Sequence, residues 1–365
     1  MEYESGFDTR KYLENAAQQA RERNYQDFVI VDVDAHHYEN ETWMDIIQYI
    51  ENPMVKKYME GGSGFGAIGA IPSVIGNQHL SGRLTRYPLR RKEKADHPKY
   101  GRDHVIVKRA MEMIGIDYQI LFPTPMLNLG LHPQIEIEVE LAKAYNRWLQ
   151  DTILAVDPQI KTMMFLPFNS PDACTEIIEE FADKPGVVGF MVTAVRYKPV
   201  HDNAYMKVYQ LLEEKNMPLG FHAGPIWQGE RAFEQFNKFI SVHALTFPFF
   251  NMIHLTNWVI NGLPERFPNL KVIWIEGGLA WIPFLMQRLD NEYHMRTSEA
   301  PLLKKKPSEY MREFYYTTQP MEIPDDLDIL KTTFKMINAE TQLLYASDYP
   351  HWILICQAPS MICLF

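Results

Sequence analysis

Val29-Ile-Val-Asp-Val-Asp-Ala-His-His-Tyr-Glu39 runs from an apolar stretch that reads as a buried strand directly into side chains able to hold a metal ion. Successive side chains of an extended chain point to opposite sides, so Asp34 and His36 project together and at least one of His37 and Tyr38 points away. By itself the stretch has two readings. A hydrogen-bonded turn after a strand would use the same residues as the first corner of a metal site. The rest of the chain has to separate them.

Working outward, the first strand is expected at about 27–34, and strand-like runs recur at 118–123, 161–168, 187–195, 219–222, 271–276, 314–318 and 343–347. Helical patterns at 135–156, 171–181, 204–214, 280–289 and 324–337 separate most of them. Alternating strands and helices imply parallel βαβ units, and eight strands imply a closed (β/α)8 barrel of the TIM type over an open sheet. Such a barrel takes roughly 200 to over 400 residues as one domain. We therefore expect a helical arm over 1–26 and a barrel over 27–365, with an inserted loop region at about 52–105. The stretch from His222 to Leu270 is longer than one helix needs, and its aromatic residues suggest that it walls a pocket or a subunit interface.

Composition narrows the function. The 365 residues are 46% hydrophobic and 22% charged, which suits a globular enzyme with a sizeable core. A net charge of −10 without a basic stripe argues against a nucleic-acid partner. Arg83, Arg86, Arg90, Arg91 and Lys92 form one basic knot, read as a solvated loop or a seat for a substrate carboxylate. The first residues lack the pattern of a secretory signal, and no apolar run approaches the roughly 20 residues of a bilayer span, so a cytoplasmic protein without a membrane partner is expected. Cys174, Cys356 and Cys363 have no zinc-site spacing, which leaves His and carboxylates to hold any metal. Gly64-Phe-Gly-Ala-Ile-Gly69 matches a dinucleotide loop by letter, but no strand precedes it and Pro72 follows. The glycine-rich stretch 61–76 reads instead as a loop over the mouth of a site.

Barrel enzymes place their reactive groups where strands end on the C-terminal face. Four expected strand ends carry metal-capable residues: Asp34-Ala-His36, Phe221-His222-Ala-Gly224, Ile275-Glu276-Gly-Gly278 and Ser347-Asp348-Tyr-Pro-His351. Each alone could be a satisfied histidine, a helix cap or a turn residue. All four facing one barrel mouth favour the metal reading.

The combination resembles the amidohydrolase superfamily, in the amidohydrolase-related branch that contains aromatic-acid and aminocarboxymuconate-semialdehyde decarboxylases. The resemblance spans roughly 27–352 and rests on Asp32-Val-Asp-Ala-His-His37, Gly220-Phe-His-Ala-Gly224, the run from Leu263 to Gly278, and Tyr345-Ala-Ser-Asp-Tyr-Pro-His351. It implies a metal-dependent hydrolase-type barrel with Asp34, His36, His222 and Asp348 as ligands. It further implies that Asp348 orients or deprotonates a metal-bound water. Two departures stand out: Asp34 takes a place usually held by His, and Glu276 takes a place often held by a His that serves as acid/base or second-metal ligand. Three carboxylates exceed the charge of one divalent ion, so either one is protonated or two ions bind. Two are favoured, with Glu276 on the second ion and His351, Glu39 or His254 as further ligands.

A ligand set without thiolates suits zinc, manganese or iron. The expected activity is hydrolysis or non-oxidative decarboxylation of a small aromatic or cyclic substrate, with Asp348 and Glu276 catalytic. A di-iron oxygenase is the alternative, and a non-catalytic barrel would follow if Asp34 and Glu276 spoiled metal binding. Arg83 and Arg86 are candidates for a substrate carboxylate, and Trp227, Tyr349 and Trp352 for sandwiching a flat ring. The apolar tail after His351 lacks the pattern of a closing helix and suggests a patch covered by a partner subunit in a homo-oligomer.

Overall fold

The structure is a computed structural model that describes residues 10–61, 71, 95, 97–195, 197–224, 226 and 229–351. Arg83, Arg86, Trp227, Trp352, the apolar tail and most of the glycine-rich loop and of the insertion lie outside the described residues.

Eight parallel strands form one sheet in sequence order: β1 Val31–His36, β2 Tyr118–Phe122, β3 Ile160–Phe165, β4 Val187–Thr193, β5 Leu219–His222, β6 Val272–Ile275, β7 Tyr315–Thr317 and β8 Leu343–Leu344. Backbone hydrogen bonds close the ring between β8 and β1, from Val33 N to Tyr345 O at 2.9 Å, from Asp348 N to Asp34 O at 2.8 Å and from His36 N to Tyr349 O at 2.6 Å. The barrel reading therefore holds. Both faces of β3, β4 and β5 are covered, which is why they read as nearly unbroken apolar runs instead of alternating ones. β1 begins at Val31 and not at 27, because Phe28 and Val29, although apolar, lie outside the ladder and are 55% and 69% exposed.

Long helices connect the strands on the outside, among them Ile135–Leu149, Pro171–Phe181, Phe239–Ile260 and Trp281–Met295. Phe239–Ile260 is long and apolar enough by composition to cross a membrane, which the sequence reading did not anticipate. In the fold it packs on the barrel through Phe250, Leu255, Trp258 and Val259, all buried. The N-terminal helix Arg10–Glu22 packs on helix Arg102–Ile114, with Leu13, Ala16 and Ala17 buried. Three apolar anchors on one face are enough to seat it.

Inside the barrel, volume is shared between strands. A Cβ at Gly220 on β5 would come 2.8 Å from Ile275 Cδ1 and 3.1 Å from Met163 Cε, so the glycine leaves room for both side chains beneath His222. The outer side of the seam between β8 and β1 differs. A cleft of about 1440 Å³ lies there, lined by Tyr25, Phe28, Val29, Phe334, Leu343 and Tyr345, among others.

Candidate metal centre

The strand pattern of β1 puts Asp32, Asp34 and His36 in buried positions, while Val31 is exposed and Val33 only partly buried. His36 Nδ1 lies 2.8 Å from the Pro123 carbonyl oxygen, and His222 Nδ1 lies 2.7 Å from that of Ala223. A carbonyl oxygen only accepts, so both rings carry their proton on Nδ1 and present the Nε2 lone pair inward. Each lone pair meets carboxylate oxygen. His36 Nε2 is 3.2 Å from Asp34 Oδ1 and 3.6 Å from Asp348 Oδ1, and His222 Nε2 is 3.3 Å from the same Asp34 oxygen. Unshared pairs facing one another in a buried site repel unless a cation lies between them. His36 Nε2, Asp34 Oδ2 and Asp348 Oδ2 are buried with no hydrogen-bond partner among the described residues. This donor set fits a divalent metal ion.

Glu276 and Asp348 follow β6 and β8 in the left-handed backbone region, with φ of 56° and 55°. Non-glycine residues there are uncommon and cost on the order of 1–3 kcal/mol, which the surroundings must offset. Thr317 Oγ1 accepts from Glu276 N at 2.9 Å, and Asp34 O accepts from Asp348 N. Gly277 is needed next to Glu276, since a Cβ there would lie 2.6 Å from Asn251 Nδ2. Glu276 then sits between two histidines, with Oε2 at 3.5 Å from His222 Nδ1 and Oε1 at 3.9 Å from His351 Nδ1. His351 bridges Asp348 Oδ1 at 2.7 Å through Nδ1 and Thr124 Oγ1 at 3.1 Å through Nε2. Two overlapping ligand sets result, Asp34, His36, His222 and Glu276 in one and His36, Glu276, Asp348 and His351 in the other.

Electrostatics among the protein groups divide the acids. Burial raises Glu276 well above the usual carboxylate range, and the charges of Asp348 and Asp34 add to it. Burial likewise raises Asp348, with the pull of His36 only partly opposing it. Burial pushes Asp34 the same way, but the neighbouring His222 and His36 rings outweigh it and hold Asp34 low. Burial pushes His36 down to about 4, which keeps it a neutral donor. A bound divalent cation would favour the ionised carboxylates.

All six proposed ligands, Asp34, His36, His222, Glu276, Asp348 and His351, thus converge at one mouth. Glu39 and His254 are outside both sets. Glu39 accepts from Thr124 N at 3.0 Å and Met126 N at 2.5 Å, and His254 Nε2 lies 2.8 Å from Val195 O. His37 turns away as alternation requires, reaching Tyr145 OH at 2.8 Å and stacking on Tyr145 and Trp148. Tyr349 is buried in the main hydrophobic core. The aromatic stretch after β5 contributes Phe233, Val242 and Phe250 to a second apolar cluster with Ala194 and Val195, at the end of β4. The sequence reading passed over Asp32. Its parity with Asp34 and His36 would have placed it on the same side, and burial raises its carboxyl to about 7.

Several solved structures share this architecture. A 5-carboxyvanillate decarboxylase from Sphingomonas paucimobilis is 21% identical, with a TM-score of 0.59 over 88% of this chain and 89% of that one. An amidohydrolase from Mycobacterium avium subsp. paratuberculosis is 20% identical, with a TM-score of 0.66 over 90% and 91%. A 5-carboxyvanillate decarboxylase from Novosphingobium aromaticivorans, complexed with manganese and 4-hydroxy-3-methoxy-5-nitrobenzoic acid, is 17% identical, with a TM-score of 0.61 over 90% and 88%. At these identities the likeness establishes the fold. The family follows from the sequence itself: the amidohydrolase profile matches residues 31–360, which hold all eight strands and all six clustered residues, and the chain belongs to the amidohydrolase family.

Proposed function

We propose that this chain catalyses the manganese-dependent, non-oxidative decarboxylation of a small hydroxylated aromatic acid. The observation that carries the reading is the convergence of the His36 and His222 lone pairs on the Asp34 carboxylate at the barrel mouth. Manganese-bound relatives with nitro-substituted phenolic ligands support the substrate class, since a nitro group has the planar two-oxygen shape of a carboxylate. These relatives give the oxygenase alternative no support.

A bound divalent ion would act as a Lewis acid for substrate oxygens and offset the acidic ligands. Asp34, His36 and His222 would hold it, with Glu276 beside them. Decarboxylation breaks the bond between ring carbon and carboxyl carbon. The electron pair stays on the ring carbon and takes a proton, and carbon dioxide leaves. Asp348, hydrogen-bonded to His351 at the mouth, is the residue we assign to deliver that proton. His351 has both ring nitrogens engaged and is partly exposed, which suits it to return the proton from solvent better than to bind metal. Glu276, pushed towards its neutral form by burial and by the charges of Asp348 and Asp34, would let three carboxyl groups share a site built around one ion.

The test is metal analysis of protein purified without added metal, followed by assay of the manganese-loaded enzyme on hydroxybenzoates. Carbon dioxide release without oxygen uptake, at about one ion per chain, is the expected result. Two irons per chain with oxygen consumed on substrate addition would replace this reading with the oxygenase. The proposal includes a homo-oligomer, supported by the exposed Phe28 and Val29 at the outer cleft, and light scattering at the monomer mass would remove that part.

A further inference from the structure

We infer that Asp32 is a positioning residue that locks the ends of β1 and β8 together so that Asp34 and Asp348 face the same ion; the inference rests on the metal reading above. Asp32 is fully buried one pleat below Asp34 and touches neither ligand histidine within hydrogen-bond distance. Its carboxyl group accepts four hydrogen bonds. Oδ1 takes Asp34 N at 3.2 Å and Ser347 N at 2.9 Å, and Oδ2 takes Ser347 Oγ at 2.5 Å and Gln119 Nε2 at 3.0 Å. Those donors come from β1, from β2 and from the segment after β8, so one side chain joins three parts of the barrel wall.

The geometry bears on the ligands through the backbone. Ser347 precedes Asp348, and its Oγ also accepts from Tyr349 N at 3.1 Å, so the residues on both sides of Asp348 are tied to Asp32. Asp348 N in turn donates to Asp34 O at 2.8 Å. Bonds that trace to Asp32 and to Asp34 thereby join the His351 N donation to Asp348 O in fixing Asp348 in its left-handed conformation. Both carboxyl oxygens carry two donors each, which calls for an acceptor-only group. An amide in this place would set its NH2 against two donors.

Asp32→Asn is therefore expected to weaken manganese affinity by about 10- to 100-fold, the size typical for losing an outer-shell partner of a metal site. Ser347→Ala, which removes one of the four bonds, should weaken it less, and Ser347→Thr should restore it by returning the hydroxyl. The experiment titrates metal-free protein with Mn2+, follows the ion by electron paramagnetic resonance, and records thermal stability of each variant. Met163→Ala, a core truncation on the opposite wall, serves as the control for mere destabilisation. A drop in affinity and an altered spectrum in Asp32→Asn and Ser347→Ala, absent from an equally destabilised Met163→Ala, supports positioning. Affinity that tracks stability across all variants, or wild-type affinity in Asp32→Asn and Ser347→Ala, overturns it while leaving the metal site in place. Wild-type protein that takes up no Mn2+ overturns the metal reading and the role of Asp32 together.

Discussion

The seam between β8 and β1 and the wall formed by β3, β4 and β5 hold the same barrel by different means. At the seam and beside it, buried polar groups do the joining: Asp32 with Ser347 across the seam and with Gln119 on β2, and Thr318 Oγ1, after β7, accepting from Ala346 N at 2.9 Å. Along the wall, Met163, Met164, Phe190 and Leu219 are almost wholly buried, and Gly189 and Gly220 leave the space that Met163 fills. Hydrogen bonds fix direction, while apolar packing fixes volume. Asp34 and Asp348 stand on the side whose geometry is directional. Only His222, on a ring already oriented by the Ala223 carbonyl, rises from the apolar side.

The largest effects should come from the ligands at the mouth. Asp348→Asn removes the proposed proton carrier and His222→Ala removes an inward nitrogen, and each is expected to lower activity by about 1000-fold or more. In His222→Ala the bound metal should fall as well, measured by elemental analysis after dialysis. Full metal retention in His222→Ala would mean that the ion sits elsewhere.

Next in size is a break in the wall. Met163→Ala leaves a cavity beside Gly189 and Gly220 and should cost about 2–5 kcal/mol in denaturant unfolding, as buried Met truncations do. Because no ligand leans on Met163 by a hydrogen bond, Mn2+ affinity of the folded protein should stay within about twofold of wild type. A matching loss of affinity would erase the distinction between the two regions. Thr317→Val probes the border between them. It keeps the shape but leaves Glu276 N, buried and in the left-handed region, without its acceptor, at a cost of about 1–3 kcal/mol. Stability unchanged in urea would show that Glu276 is held by other contacts.

The contrast also explains what could be read from sequence. Wall strands are legible because burial on both faces writes a continuous apolar run, and all eight strands were anticipated to within a few residues. The ligands are legible because a barrel gathers its strand ends at one mouth. What joins the seam is not local. Asp32 and Ser347 are 315 residues apart in the chain, and no periodicity links them. Glu39 illustrates the opposite error, for its partners are the backbone N–H groups of Thr124 and Met126, which sequence composition does not display. The helical pattern expected to run to 156 is regular only through Leu149, after which a π-helical turn at Gln150–Leu154 takes over.

The smallest effect belongs to a carboxyl group on the wall side. Glu138, on helix Ile135–Leu149, is buried and accepts from Asn169 Nδ2 at 2.8 Å; burial lifts it from 4.5 to about 7, against the opposing pull of that bond. Its folded pKa lies above its unfolded one, so between the two values the folded state keeps a proton that the unfolded state has lost. The stabilisation is complete below about 4.5 and is lost as pH rises towards 7. From pH 6 to 7 the decline should be about 1 kcal/mol in urea unfolding, and Glu138→Gln, which cannot ionise, should lose that part of the slope. The seam carboxyl Asp32 is raised to a similar value by burial, so the same interval contains both contributions. Comparing Glu138→Gln with wild type at each pH isolates the wall's share. If the variant keeps the full slope, the pH dependence of this barrel comes from the seam.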